Sequence, residues 1–105
     1  MPGKMSVDDS KFPIFQKMTT LVNAGKWSDA AGLADKQMTD SPEWPTPFYY
    51  AAKSYVNLCD KDAAIRDFKL FLEKVKDRDD YTKEAQNAAD LLSRMEKGEM
   101  PPQCP

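Results

Sequence analysis

Apolar residues recur at intervals of three and four along most of the chain, and this spacing predicts amphipathic helices. The first such segment follows residue 10, and its apolar positions are Ile14, Phe15, Met18, Leu21 and Val22. Residues three and four apart share one face of an α-helix, and glycine is common just past a helix end, so this helix is expected to end at Gly25. No segment alternates apolar and polar residues in the way that a strand does. The pattern predicts an all-α protein.

The same spacing predicts three further helices downstream. The second covers residues 28–39 and is followed by the linker SPEWPTP, in which Trp44 is interpreted as a packing anchor. Its prolines exclude a helix before Thr46, so Thr46 is expected to cap the third helix. Pro47 then takes the first helical position, where a missing N–H has no cost. The fourth helix is predicted over residues 61–76.

A fifth helix and two irregular ends complete the predicted organisation. Asp79 or Asp80 is expected to cap the fifth helix. Its apolar face is formed by Ala85, Ala88, Ala89, Leu92 and Met95. Residues 1–10 carry no periodic pattern, and residues 98–105 are rich in glycine and proline, so both ends are predicted to be flexible. The predicted domain therefore covers residues 11–97.

The chain also resembles itself at an offset of 34 residues. Five positions illustrate the match: Val22 and Val56, Asn23 and Asn57, Gly25 and Cys59, Ala30 and Ala64, and Leu21 and Tyr55. Similarity at a fixed period of this size is typical of stacked helical repeats, in which each unit buries its apolar face against its neighbours.

The residues of the first copy carry a recognisable motif. Gly25, Trp27 and Ala30 form the pattern GxWxxA, and the second copy has Ala52 and Ala64 at the two places where small residues are expected. Here the sequence resembles the tetratricopeptide repeat family, whose unit is a helix pair of this length with small residues where the helices cross closely. The resemblance implies a tetratricopeptide-like α-solenoid of antiparallel helix-turn-helix repeats.

The resemblance divides the domain into two repeats and a capping helix, at residues 11–44, 45–78 and 79–97. Three positions depart from the family pattern. Met18 stands where a small residue is usual, Cys59 where glycine is usual at the turn, and Lys76 where proline often closes the repeat. Cysteine at a left-handed turn position would be strained, so either that turn is strained or the third helix ends differently from the first.

Charge and residue counts exclude several functions. The chain has 15 basic and 17 acidic residues of mixed order, so no concentrated basic surface for a nucleic acid is expected. No apolar run approaches the roughly 20 residues of a membrane span, and membrane insertion is not expected. Histidine is absent, which removes Ser/His/Asp and Cys/His catalytic pairs. We expect a non-catalytic protein without cofactors.

The segment around the first cysteine raises the question of a metal or thiol site. A calcium loop beginning at Asp60 would need an oxygen ligand, glycine and glutamate where Ala64, Ile65 and Phe71 stand, so calcium is rejected. Cys59 and Cys104 are predicted to be two free thiols of a reducing compartment, which favours a cytoplasmic location. A bridge between them is the alternative.

The family resemblance implies a protein–protein interaction module that binds a peptide segment or partner helix in the concave groove of the repeats. The groove positions that it implies are Phe12, Phe15, Thr19, Asn23, Tyr49, Lys53, Asn57, Lys83 and Asn87, together with Val22, Thr46, Val56 and Asp90. Asparagine amides can bond to a peptide backbone, and the lysines can meet a carboxylate. The partner's identity stays open.

Two other functions remain as alternatives. Arrays usually need at least about three repeats, so the chain could instead be a structural or weakly self-associating stacking segment of a longer repeat protein. The weaker alternative is a thiol-based regulator that acts through Cys59. The basic clamp with which some family members hold a carboxylate is not expected, because Asp80 and Glu84 occupy its last two positions.

Overall fold

The computed structural model describes residues 11–104, and these form five α-helices without any strand. The helices are α1 (Phe12–Asn23), α2 (Trp27–Asp40), α3 (Thr46–Asn57), α4 (Lys61–Val75) and α5 (Thr82–Glu96), with a single 3-10 turn at Asp79–Tyr81. The predicted all-α class and five helices are confirmed. The prediction of a flexible segment over residues 1–10 lies outside the described residues, as does residue 105.

Consecutive helices pack side by side as hairpins, and α1 also contacts α3. The described part of the molecule measures 49 × 28 × 21 Å, so it is elongated, as a row of hairpins would be. The helix boundaries keep the period seen in the sequence. Helix α3 begins and ends 34 residues after α1, and α4 begins 34 residues after α2. This packing is compatible with a helical repeat.

The two turns inside the hairpins are also alike. Gly25 and Cys59 both adopt the left-handed conformation, with φ of 72° and 63°. In each turn the N–H of the next residue donates to the carbonyl five residues before it, and both N···O distances are 2.9 Å. This is the Schellman helix ending. The third helix therefore ends as the first does, and Cys59 carries a backbone cost of about 1 kcal/mol that glycine avoids.

The core is divided into two clusters. The larger lies among α3, α4 and α5 and is built around Phe48, Phe68, Phe71, Val75 and Met95. The smaller one joins α1, α2 and α3 through Met18, Ala34 and Ala51, all with no exposed surface. The repeat alanines at positions 30, 52 and 64 are fully buried as well. Small side chains at these positions let the helix backbones approach closely.

Two of the predicted helix caps are wrong. Thr46 is already the first residue of α3, and its hydroxyl bonds to the Tyr81 hydroxyl at 2.7 Å instead of capping. Asp79 and Asp80 lie in the 3-10 turn, and α5 begins without a side-chain cap. Asp60 does cap α4, since its carboxylate accepts the N–H of Ala63 at 3.1 Å.

The two cysteines form a disulfide, so the prediction of free thiols is wrong. Helix α5 ends at a third left-handed residue, Gly98, and the following residues return to the α3–α4 turn, where Cys104 bonds to Cys59. Met100 packs against the larger core cluster. The tail at residues 98–104 is thus fastened at both ends. Because disulfides persist mainly in oxidising compartments, the argument that favoured the cytoplasm no longer holds.

Candidate functional site

The positions implied by the family resemblance lie on α1, α3 and α5, and side-chain contacts join these three helices. The Phe15 ring of α1 meets the Tyr50 ring of α3 edge-on, with centroids 6.2 Å apart. The Asn87 amide of α5 donates to the Tyr49 hydroxyl of α3 at 2.5 Å. We call this surface the groove face and define it by Phe15, Tyr49, Lys53, Val56 and Asn87.

Tyr49 is mostly a core residue. Only 6% of it is exposed, because its ring packs against Phe68 and Phe71. Burial raises the pKa of Tyr49 above its usual value of 10.0. The Lys53 ammonium lies 5.3 Å from the centre of the Tyr49 ring. With Asn87, these groups form a small polar patch in the middle of the groove face.

The other implied groove residues differ in what they offer a ligand. Asn57 donates its amide to the Lys53 carbonyl of its own helix at 3.0 Å, and the Thr19 hydroxyl donates to the Gln16 carbonyl at 3.0 Å. Asn23 and Lys83 are exposed on α1 and α5. The structure therefore brings Tyr49, Lys53 and Asn87 into direct contact, while Thr19, Asn23, Asn57 and Lys83 surround them without joining the patch.

A pocket of about 370 Å³ opens where α1, α3 and the turn before α5 begin. We call it the aromatic pocket, and it is lined by Lys11, Phe12, Phe15, Glu43, Trp44, Pro45, Thr46, Arg78, Asp80 and Tyr81. Phe12 is 53% exposed, which is unusual for a phenylalanine. Phe12 and Phe15 were among the implied groove residues, so the pocket continues the groove face at its helix N-terminal end.

Cation–π contacts, hydrogen bonds and an ion pair hold charged side chains in place around this pocket. The Lys11 ammonium donates to the Ser41 hydroxyl at 2.9 Å and lies 5.2 Å from the centre of the Trp44 ring. The Arg78 guanidinium binds the Asp80 carboxylate at 2.6 Å, and its hydrogen bond lowers the pKa of that carboxyl. The pocket is therefore lined by aromatic rings and by charged groups of both signs.

Of the residues that line this pocket, sequence reasoning placed only Phe12, Phe15 and Thr46 in the groove. Trp44 was interpreted as a linker anchor, and it does pack against the smaller core cluster, but its ring also forms a pocket wall. Arg78 and Tyr81 come from the loop before α5, which carries no periodic pattern. The three prolines of SPEWPTP were the available signal, because a rigid linker holds its tryptophan at a fixed place beside α1.

Aromatic walls and a few fixed polar groups suit a ligand with one apolar side chain and a hydrogen-bonding backbone.

Within residues 11–104, no group of three metal-ligating side chains is present. No helix in that range is long and apolar enough to cross a membrane.

Comparisons with known proteins were made with the whole chain. No protein-family model matches it, and no curated protein or solved structure matches it either. The likeness to tetratricopeptide repeats consequently rests on the period, the GxWxxA motif and the repeated helix boundaries of this chain alone.

Proposed function

We propose that the protein is a tetratricopeptide-like interaction module that binds an extended peptide segment of another protein along the groove face. The observation that carries this proposal is the aromatic pocket, which is formed where three separate helical segments converge and leaves Phe12 half exposed. A pocket of about 370 Å³ is large enough for an aromatic or branched aliphatic side chain. That side chain would anchor the peptide.

The polar patch would hold the peptide backbone beyond the anchor. The Asn87 amide and the Tyr49 hydroxyl can each pair with a peptide N–H or C=O, and Lys53 can meet an acidic side chain or a C-terminal carboxylate. Lys53 and Asn87 lie on α3 and α5, and the buried ring of Tyr49 helps to fix the positions of these helices. A rigid surface of this kind binds an extended peptide with little ordering of its own.

The repeat architecture supports the same function. Two hairpins with matching boundaries and matching left-handed turns give the same relative placement to α1 and α3. Helices related in this way present their ligand-facing positions on one side, which is how repeat proteins build extended binding surfaces.

The alternative is a stacking segment, and the polar exposed residues of α2 and α5 argue against it. On α5 the exposed residues, all polar except the alanine, are Thr82, Lys83, Gln86, Asn87, Ala89, Asp90, Ser93, Arg94 and Glu96. On α2 they include Ser28, Asp29, Lys36 and Asp40. Polar ends are typical of capping repeats. Apart from Phe12, the exposed large apolar residues of the described part of the chain are Leu58 and Leu70, which are 41% and 42% exposed and could be covered by a second copy.

Peptide selection followed by groove variants tests the proposal. Peptides would be selected on the purified protein from a random display library, and their affinities measured by fluorescence anisotropy. Phe12→Ser and Lys53→Glu are expected to weaken binding by about tenfold each, which corresponds to about 1.4 kcal/mol. Lys36→Glu on the outer face of α2 is the matched control and should bind as the parent does.

Two results would overturn the proposal. One is a selected peptide that binds all three variants equally, with helicity unchanged by circular dichroism. The other is failure to select any peptide, together with sedimentation showing dimers that dissociate on dilution, which would favour the stacking segment.

A further inference from the structure

The disulfide lies at one end of the proposed binding surface. It joins the turn after α3 to a residue 45 positions later, at the end of the tail. The Cys104 sulfur lies 3.8 Å from the backbone carbonyl of Val56, which is one of the groove-face residues. The tail therefore crosses from the end of α5 to the end of α3, beside the last turn of α3 and at the opposite end of that helix from the aromatic pocket.

The turn itself gives no reason for a cysteine. Cys59 occupies the left-handed position that Gly25 occupies in the first repeat, and the backbone hydrogen bonds of both turns are the same. Glycine would adopt this conformation without strain. What the cysteine adds is the covalent bond to the tail, so that bond is the feature to explain.

Apart from the disulfide, few contacts among the described residues hold the tail in place. The N–H groups of Gly98, Glu99 and Cys104 donate to carbonyls no more than five residues away, so these bonds do not hold the tail to α3. Two of the seven tail residues are prolines, which have no N–H to donate. Met100 supplies the one apolar contact with the core cluster among the described tail residues.

We propose that the Cys59–Cys104 disulfide is a reversible tether that keeps residues 98–104 over the end of the groove face, and that its reduction releases them. The surface beside Val56 is then open to a bound peptide. The disulfide would thereby set how much of the groove face a partner can use. This effect on a partner rests on the proposed peptide-binding function, whereas release of the tail does not.

The reaction is thiol–disulfide exchange with a dithiol reductant. A thiolate of the reductant attacks one sulfur of the disulfide, the S–S bond breaks, and a mixed disulfide forms. The second thiol of the reductant then displaces the protein thiol. Cys59 and Cys104 gain two electrons and two protons in total, and the reductant becomes a disulfide. Both cysteines are partly exposed, so a reductant can reach them.

Amide hydrogen exchange measured by mass spectrometry tests release of the tail. The full chain would be compared before and after reduction with dithiothreitol and alkylation of both thiols. Peptides covering residues 99–105 are expected to exchange at least about tenfold faster after reduction, at labelling times of seconds to minutes. Peptides from α1 and α2 should show no change at those times. Equal exchange of the tail in both forms would overturn the proposal.

A double variant separates release of the tail from loss of the fold. Cys59→Gly with Cys104→Ser removes the disulfide and gives the turn the residue found at Gly25, so the turn is no longer strained. The variant should show the same fast amide exchange in the tail, and the same slow exchange in the helices, as the reduced protein. If α3 and α4 exchanged completely at those labelling times, as an unfolded chain does, the disulfide would be holding the fold together, and the tether would be refuted.

Peptide binding tests the effect on the groove face. Library-selected peptides are expected to bind the double variant about threefold to tenfold more tightly than the oxidised parent. Equal affinity for the two forms, with the tail released, would show that the tail does not cover the binding surface. If the tail is released and no peptide binds either form, the tether stands and the proposed function fails.

Discussion

Asp67 is a carboxylate buried without any exposed side-chain surface, and Arg66 is the neighbour that favours its charged form. Arg66 is the preceding residue of α4. Its guanidinium donates to the Asp67 carboxylate at 3.0 Å and is itself mostly exposed. Burial is the main cause that raises the pKa of Asp67, and Arg66 opposes it, while the charges of Asp35 and Asp60 raise the pKa further. Folding therefore favours the protonated carboxyl.

Replacing Asp67 with asparagine is expected to change how stability depends on pH. The folded pKa of Asp67 lies above the unfolded value of about 3.9, so the native protein binds more protons between these two values. Its contribution to stability is present at low pH and is lost as pH rises through that window. Asp67→Asn should remove this loss, as measured by urea unfolding from pH 4 to pH 8. An unchanged pH slope would contradict the assignment.

The glycines at positions 25 and 32 are expected to respond oppositely to alanine. A Cβ at Gly25 would meet no atom closer than 4.0 Å, so its φ of 72° alone should make Gly25→Ala destabilising by about 1 kcal/mol. Gly32 lies inside α2 with open space around it, and Gly32→Ala should stabilise by about 0.5 to 1 kcal/mol. Thermal and urea unfolding would measure both. The same sign for both variants would refute the argument from backbone conformation.

Single residues show where the sequence was and was not informative. The mismatch of Cys59 with Gly25 was visible in the sequence, and it did mark a strained turn. The bridge from Cys59 to Cys104 was only the alternative prediction, because the tail has no periodic pattern and bridge formation depends on where α5 ends in space. A proline-rich tail was interpreted as a free end, although Gly98 turns it back toward α3.

At the scale of the elements, hydrophobic periodicity predicted all five helices, and the 34-residue offset predicted which helices correspond. The helix starts were less accurate. Thr46 has the side chain of a cap, yet its hydroxyl bonds to Tyr81, which is 35 residues away. Local sequence cannot reveal a competing partner at that distance. The missing cap of α5 is replaced by the 3-10 turn, which satisfies backbone groups at the helix start.

Helix α3 is tied to α2 by a hydrogen bond whose loss should be measurable. The Tyr55 hydroxyl donates to the Asp35 carboxylate at 2.5 Å, and this bond raises the pKa of Tyr55 to about 12. Tyr55→Phe is expected to lower the free energy of unfolding by about 1 kcal/mol at neutral pH. Adding Asp35→Asn should cost little more, because the pair is already broken. Additive losses would contradict a direct bond.

The pH dependence of the same bond provides a second measurement. The folded pKa of Tyr55 lies above the ordinary value of 10.0, so the stability that the bond contributes is complete below pH 10. It is lost as pH rises through about 12. Absorbance titration of the parent should show one tyrosine that ionises near pH 12 and is missing from Tyr55→Phe. Identical titration curves would contradict the assignment.

For the whole molecule, the sequence predicted the class and the period, and these follow from patterns along the chain. The aromatic pocket and the fastened tail do not, because both arise where segments far apart in sequence meet. Trp44 and Tyr81 line the same pocket, although they are 37 residues apart in the sequence. The two ends of the groove face therefore depend on how the helices pack, which patterns along the chain do not specify.

The disulfide is expected to stabilise the whole molecule as well as to fix the tail. Linking residues 45 positions apart restricts the unfolded chain, and loops of this size contribute about 2–4 kcal/mol. Cys104→Ser should therefore lower the midpoint of thermal unfolding by roughly 10–25 °C in a domain of this length. The loss should exceed that of Cys59→Gly with Cys104→Ser by about 1 kcal/mol, because only the double variant also relieves the left-handed residue.

Urea unfolding of the parent under reducing conditions should match Cys104→Ser. Equal stability of the single and double variants would show that Cys59 carries no backbone cost, and equal stability of oxidised and reduced protein would show that the disulfide does not constrain the unfolded chain.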